Sequence, residues 1–301
     1  MALRSQAARV IAITTVAGNV SAEQATRNAL YTAELCGAAT PVYQGARQPL
    51  TRPLITADWF HGRDGLGDHG YPHPSRRAEK QHAVEAIIST VRSNPGLLLV
   101  TLGPLTNLAL ALAQAPDIVH DVGRCVVMGG APCCEGNVTP AAEYNMWVDP
   151  DAARIVFRSG LPIDLVGWQL CRGAAVLAPA DIEFVSQMGT PLSNFVVECN
   201  STAREAYRKQ TGEDGISLPD PVAMSIALDP SIGSNSSRHH VDIETVSELT
   251  RGMTVVDRLG VAADERNHAT WAGLLDLSPN VKVYWAIDVA RWKQALYSAL
   301  G

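Results

Sequence analysis

Short apolar runs, each too brief to be a helix, alternate along this chain with segments whose apolar residues recur at helical spacing. No other feature limits the fold as much. Val10–Val16 is apolar and partly β-branched, and reads as a buried strand. Ser21 followed by Gln24 is a capping-box pattern that opens a helix ending at Gly37. Val42–Tyr43 begins a further extended piece, and a Pro- and Gly-rich loop follows it to Pro74. Val84, Ile87, Ile88 and Val91 share one helical face, and Asn94-Pro95-Gly96 stops that helix before the strand Leu97–Leu102. Leu105–Ala115 then reads as a helix, Arg124–Met128 as a strand, Pro150–Ser159 as a helix with proline in its first turn, and Pro162–Val166 as a strand. Strands that alternate with helices run parallel, because only a crossover can return the chain to the same end of the sheet. The expected fold class is therefore α/β, an open and mostly parallel sheet with helices on both faces. Cys171–Asp220 is helical and polar without clear strands, so it is expected to cap the sheet. Asp220–Leu228 reads as a short helix, Val241–Val246 and Val281–Ile287 as additional strands, and Val289–Leu300 as the closing helix.

With 301 residues, 47% apolar and 18% charged, the chain can bury one large core, and no linker divides it. One domain over residues 1–301 is expected. The formal charge is −6 and no basic run occurs, so the electrostatic footprint of a nucleic-acid partner is missing. The most apolar stretch, Leu97–Ala115, is broken by Gly103, Pro104, Thr106 and Asn107, which argues against a membrane span. Six cysteines form no C-x-x-C pair, and adjacent Cys133 and Cys134 have no partner at metal-ligand spacing. A reduced, cytoplasmic setting and small-molecule chemistry follow as expectations.

Ligands of open α/β sheets bind outside the carboxyl ends of the strands. Three unusual turns fall there: Ala17-Gly18-Asn19, Gly103-Pro104-Leu105-Thr106-Asn107, and Gly129-Gly130 after Met128. Each alone reads equally as a tight strand-to-helix turn. The loop Gly136–Asn145 adds Asn137, Glu143 and Asn145, two amides and a carboxylate whose donors and acceptors suit the vicinal hydroxyls of a sugar. Ordinary turn chemistry with a helix cap at Asp149 remains the other reading of that loop. Neither G-x-x-x-x-G-K nor G-x-G-x-x-G is present, so nucleotide phosphates and a nicotinamide cofactor are not expected.

Taken in order and spacing, these segments resemble the inosine–uridine type nucleoside hydrolases. The likeness runs from Ile11–Val20 through His61-Gly62-Arg63-Asp64-Gly65-Leu66-Gly67, the Gly103–Asn107 and Met128–Gly130 turns and the Gly136–Asn145 loop to Arg251-Gly252-Met253-Thr254. It implies a Rossmann-like sheet and calcium-dependent hydrolysis of the N-glycosidic bond of a ribonucleoside, in a homodimer or homotetramer. It also implies residue roles. Asn137, Glu143 and Asn145 would bind ribose with Met128 beside the sugar, and Asn19 would lie near the attacking water. Leu102, through its carbonyl, and Asp220 would hold calcium, a hard cation that prefers oxygen. His61 and Tyr207 would meet the base. From the residues alone, a backbone-satisfied loop histidine is the lesser alternative for His61, and Tyr207 reads equally as part of a solvated helix face.

Two departures from that family follow. Its opening D-x-D-P-G-x-D-D cluster, which supplies calcium ligands and the general base, has no counterpart here, and Met1–Arg4 reads as the end of the helix that would follow it. The resemblance then implies an incomplete calcium shell and an unpaired strand edge in the sheet. It leaves open a recorded start that omits this segment, or a nucleoside-binding homologue impaired in catalysis. The second departure is Pro219, which replaces a histidine proposed to protonate purine leaving groups; proline carries no such proton. Trp168, in a segment where aspartate is usual, is expected to pack against the sheet.

Overall fold

The computed structural model describes residues 1–271 and 278–301. Its strands are β1 (Ile13–Thr15), β2 (Val42–Gln44), β3 (Leu97–Thr101), β4 (Val122–Met128), β5 (Ile163–Val166), β6 (Asn235–His239), β7 (Val241–Ile243), β8 (Thr254–Val256) and β9 (Val281–Ala286). The α-helices are α1 (Ala22–Leu35), α2 (Asp58–His61), α3 (Ala83–Ser93), α4 (Thr106–Gln114), α5 (Tyr144–Val148), α6 (Pro150–Phe157), α7 (Pro179–Gln187), α8 (Pro191–Cys199), α9 (Ser201–Thr211), α10 (Pro219–Leu228), α11 (Glu265–Trp271) and α12 (Val289–Leu300). The α/β class with a mostly parallel sheet is as the alternation requires. β3, β4, β5 and β9 run parallel in that order, and β6 joins β9 antiparallel at the edge.

Successive residues of β4 point to opposite faces, as the period of a strand dictates. Cys125 and Val127 join a core with α3, α4 and α6, through Val91, Leu108 and Phe157 among others. Val126 and Met128 join a second core with α10 and α12, through Ile226, Trp292 and Leu296. Burial on both faces explains why β5 is apolar and buried at nearly every position. The segment after Cys171 forms α7, α8 and α9, the expected cap.

The parallel sheet is split. β1 and β2 pair in register Ile13 to Val42, but no hydrogen bond joins β1 to β3. Among the described residues, the outer edges of β1 and β3 have no strand partner. β3 shows the effect: none of its residues is fully buried, and Leu98 is 36% exposed in a run of sequence as apolar as that of β5. The two sheets share the packing of α3 and are also joined near their strand ends. Asn107, the second residue of α4, donates from Nδ2 to the Thr15 carbonyl at 2.8 Å, and its Oδ1 accepts from the Ala46 N–H at 2.8 Å.

Several expectations need correcting. The strand read as Val241–Val246 ends at Ile243 and pairs antiparallel with β8 in a separate two-stranded sheet, because Glu244 turns back to accept from Val246 and Ser247. β6, Asn-Ser-Ser-Arg-His, was not legible because a polar edge strand has no apolar period. The capping box at Ser21 is half made: Ser21 Oγ accepts from Gln24 N at 3.2 Å, but the Gln24 side chain turns to Asn28. The strand read as Val10–Val16 shortens to Ile13–Thr15.

Candidate active site

Gly129 and Gly130, at φ +154° and +74°, turn the chain sharply after β4. The loop they begin returns at Glu143, whose extended backbone makes it the N-cap of α5. Its carboxylate accepts from the N–H groups of Gly130 at 2.8 Å, Asn145 at 2.9 Å and Met146 at 3.4 Å. A carboxylate offers about four lone-pair positions, so these bonds leave acceptor capacity toward the cavity. Asn145, on the first turn of α5, points its amide at the carbonyls of Leu102 and Met128, each 3.4 Å away. Asn137 accepts from the Tyr144 N–H at 2.9 Å through Oδ1, which ties the loop onto the same helix.

A cavity of about 1080 Å³ opens at the carboxyl ends of the strands. Asn19, His61, Leu102, Met128, Asn137, Glu143, Asn145, Tyr207 and Asp220 all line it. Every candidate site residue read from the sequence is therefore brought to one place. They arrive from separate elements: Asn19 from the loop after β1, His61 from the end of α2, Leu102 and Met128 from the ends of β3 and β4, Tyr207 from α9, and Asp220 from the first turn of α10. Pro219 starts α10 with its fixed φ, which sets Asp220 at the helix N-terminus.

Burial dominates the electrostatics. It pushes the Glu143 carboxyl up to about 7 against the opposing pull of its three N–H donors. Burial, and then the Glu143 charge, push Asp220 up to about 7 as well. His61 is pushed down to about 4 by burial, so its ring is neutral at physiological pH. The wall around His61 is aromatic, with Phe60 4.9 Å from it ring to ring and Trp59 5.4 Å from Phe60. Elsewhere on the lining, the Tyr207 hydroxyl donates to Glu213 at 3.1 Å, and Arg172 pairs with Glu135 at 2.5 Å.

Trp59, Phe60, Glu135, Gln169, Arg172 and Glu213 line the cavity and were not read as site residues. The aromatic pair directly before His61 was the available signal. The others carried none, since their approach depends on how the cap folds over the sheet. Trp168 packs on the core that includes Val126 and Met128, as expected, and also reaches the cavity wall.

The oxygen donors test the calcium expectation. Among the described residues Asp220 has no hydrogen-bond partner, which suits a cation ligand, and the Leu102 carbonyl, bonded weakly by Asn145 at 3.4 Å, lines the same cavity. Calcium takes about six to eight oxygens. Among the described residues no group of three or more His, Cys, Asp or Glu side chains stands together to complete such a shell. The residues present do not form a calcium site by themselves.

Residues 1–294 match the family model described as inosine-uridine preferring nucleoside hydrolase. The chain belongs to that family. A pyrimidine-specific ribonucleoside hydrolase of Klebsiella pneumoniae is 40% identical over 271 residues, 89% of this chain and 86% of the relative. An uncharacterised protein of Schizosaccharomyces pombe is 41% identical over 263 residues, 85% of this chain and 83% of the relative. Among solved structures, a plant nucleoside hydrolase superposes with a TM-score of 0.90 at 32% identity, covering 99% of this chain and 92% of that one. A purine-preferring ribonucleoside hydrolase of Gardnerella vaginalis gives 0.88 at 31% identity, with the same coverage of both chains. The family's enzymes are hydrolases of glycosidic bonds, and the relatives' names span purine and pyrimidine preference.

Proposed function

We propose that the cavity binds a ribonucleoside, with ribose against Glu143, Asn145, Asn137 and Met128 and the base toward His61 and Tyr207, and that the chain hydrolyses the N-glycosidic bond. The observation that carries this reading is the gathering of all nine residues around one cavity. Loss of the base leaves an oxocarbenium-like sugar, which the Glu143 and Asp220 carboxylates stabilise by their charge. Asp220, unpaired and titrating near neutrality, takes the proton of a water that the Asn19 amide orients. Pro219 donates nothing, and His61 is uncharged, so the departing base is stabilised by hydrogen bonds from the His61 and Tyr207 side. The test is release of reducing sugar from inosine and uridine, with and without added calcium, alongside calorimetric binding of both. Turnover above background supports hydrolysis; no binding of either nucleoside overturns the site itself.

One observation favours a second reading, a homologue that binds nucleosides without turnover. The cavity's acidic groups are few, and Glu143 is already tied by three N–H donors. Binding without turnover, at any calcium concentration, would establish that reading. In either case we take the setting to be a reducing cytoplasm, supported by six unpaired thiols, and the assembly to be a homodimer or homotetramer, which light scattering checks.

A further inference from the structure

Arg251, Gly252 and Thr254 form a segment outside the cavity that presses on its sugar-facing wall at two points. The Arg251 guanidinium lies over the Trp147 ring, 4.0 Å from the centroid, with only 12% of the side chain exposed. Among the described residues its Nε is buried without a hydrogen bond, and the one carboxylate that pairs with it, Glu248 at 3.7 Å, is already bonded to Arg52 at 2.7 Å. A charge so poorly compensated is a costly way to fill space, which an apolar side chain would do better. Gly252, at φ +76°, lets the backbone come so close to α5 that a Cβ would stand 2.5 Å from the Trp147 Cα. Two residues on, Thr254 Oγ1 accepts from the Ala131 N–H at 3.1 Å and stands 2.5 Å from where a Cβ on Gly130 would lie.

The two contact points flank one group. The backbone N–H of Trp147 donates to the Glu143 carbonyl at 2.9 Å, and the backbone N–H of Gly130 donates to the Glu143 carboxylate at 2.8 Å. We propose that Arg251, Gly252 and Thr254 are positioning residues for sugar binding: they hold α5 and the 129–131 turn at the separation that places the Glu143 carboxylate and the Asn145 amide. The cation over Trp147 fixes the helix, and the Thr254 hydroxyl fixes the turn. Substrate touches none of the three. This assignment rests on the ribose reading of the cavity.

The test measures affinity for D-ribose and for free hypoxanthine and uracil, by calorimetry and ligand-observed NMR, on the full chain and its variants. R251M should weaken ribose by about tenfold, as loss of a supporting contact does elsewhere, while free-base affinity stays within about twofold. R251K, which keeps a cation over the ring, should recover part of the loss. T254V, which removes only the hydroxyl, should show the same sugar-selective pattern, and it stands in for R251M if that variant does not fold. In an E143Q background the R251M effect should shrink, because both act on the same group. Unchanged ribose affinity in folded R251M or T254V, equal loss of ribose and base, or a full effect retained in E143Q would overturn the assignment. Failure of the wild-type chain to bind ribose would instead overturn the ribose reading on which it rests.

Discussion

Replacing Asn107 with alanine removes two side-chain bonds that tie α4, which follows β3, to the β1–β2 sheet. The Thr15 carbonyl and the Ala46 N–H, each held at 2.8 Å, lose their partner, and Asn107 itself is only 6% exposed, so water cannot readily replace it. Leaving a buried polar group unsatisfied costs about 1–3 kcal/mol, so the pair together should cost about 2–5 kcal/mol. For a chain of 301 residues the unfolding entropy is on the order of 0.6 kcal/mol/K, which converts that loss into a melting shift of roughly 3–8 °C. Urea and thermal unfolding, followed by circular dichroism, read both quantities. Asn107→Asp sharpens the test, because it keeps the acceptor for Ala46 but turns an oxygen toward the Thr15 carbonyl, and it should be no more stable than Asn107→Ala. If both variants lie within about 0.5 kcal/mol of wild type, the typical scatter for innocuous substitutions, the argument that Asn107 joins the sheets is wrong.

Further outcomes are expected. Asn145→Ala should weaken ribose binding with little effect on free base, and equal affinities before and after would count against the sugar assignment. Asp164→Ala should destabilise by about 1–3 kcal/mol in denaturant titration, since it removes the carboxylate that pairs at 2.6 Å with half-buried Arg124, which keeps its bonds to the Ile226 and Ala227 carbonyls. The folded-state value of Glu143, about 7, lies above its unfolded value near 4.5, so folding takes up a proton between these limits. Its contribution is most favourable below pH 4.5 and is lost as pH rises through 7, by about 3 kcal/mol in all. His61 is displaced downward and acts oppositely, costing stability as pH falls from 6.5 toward 4. The signature is therefore the difference between wild type and Glu143→Gln, which should vary with pH up to about 7, through Glu143 itself and through its charge on Asp220; a flat difference would refute the burial argument.

The parallel core was readable because Leu97–Leu102, Arg124–Met128 and Pro162–Val166 carry apolar runs, which burial on both faces demands of β4 and β5. β6 was hidden for the opposite reason, since an edge strand facing water needs no such run. At the site, Asn137, Glu143 and Asn145 were legible as a cluster because one loop carries them all. Sequence did not reveal that Glu143 caps α5 as well as facing the cavity. The capping signal was assigned to Asp149, which does cap α6, accepting from Ala152 at 3.2 Å. Thr106 and Asn107, suspected as part of a ligand rim, turn out to tie structure together, Thr106 through a 2.5 Å bond to Asp149. Arg172 and Glu213 reach the cavity only through the cap, whose approach to the sheet has no local sequence signature.

The split between β1 and β3 gives the cavity walls of different parentage. Asn19 and His61 belong to the segments that follow the two-stranded sheet, whereas Leu102, Met128, Glu143 and Asn145 belong to the five-stranded one. No strand ladder joins those walls; the Asn107 amide, the Leu50–Asp149 and Tyr144–Ile55 hydrogen bonds and the packing of α3 tie them together. A ligand that touches both walls then becomes a cross-brace. At about a hundred times its Kd it adds roughly 2.7 kcal/mol to folding, comparable to what Asn107 contributes from below. Occupancy of the cavity and stability of the fold are thus linked.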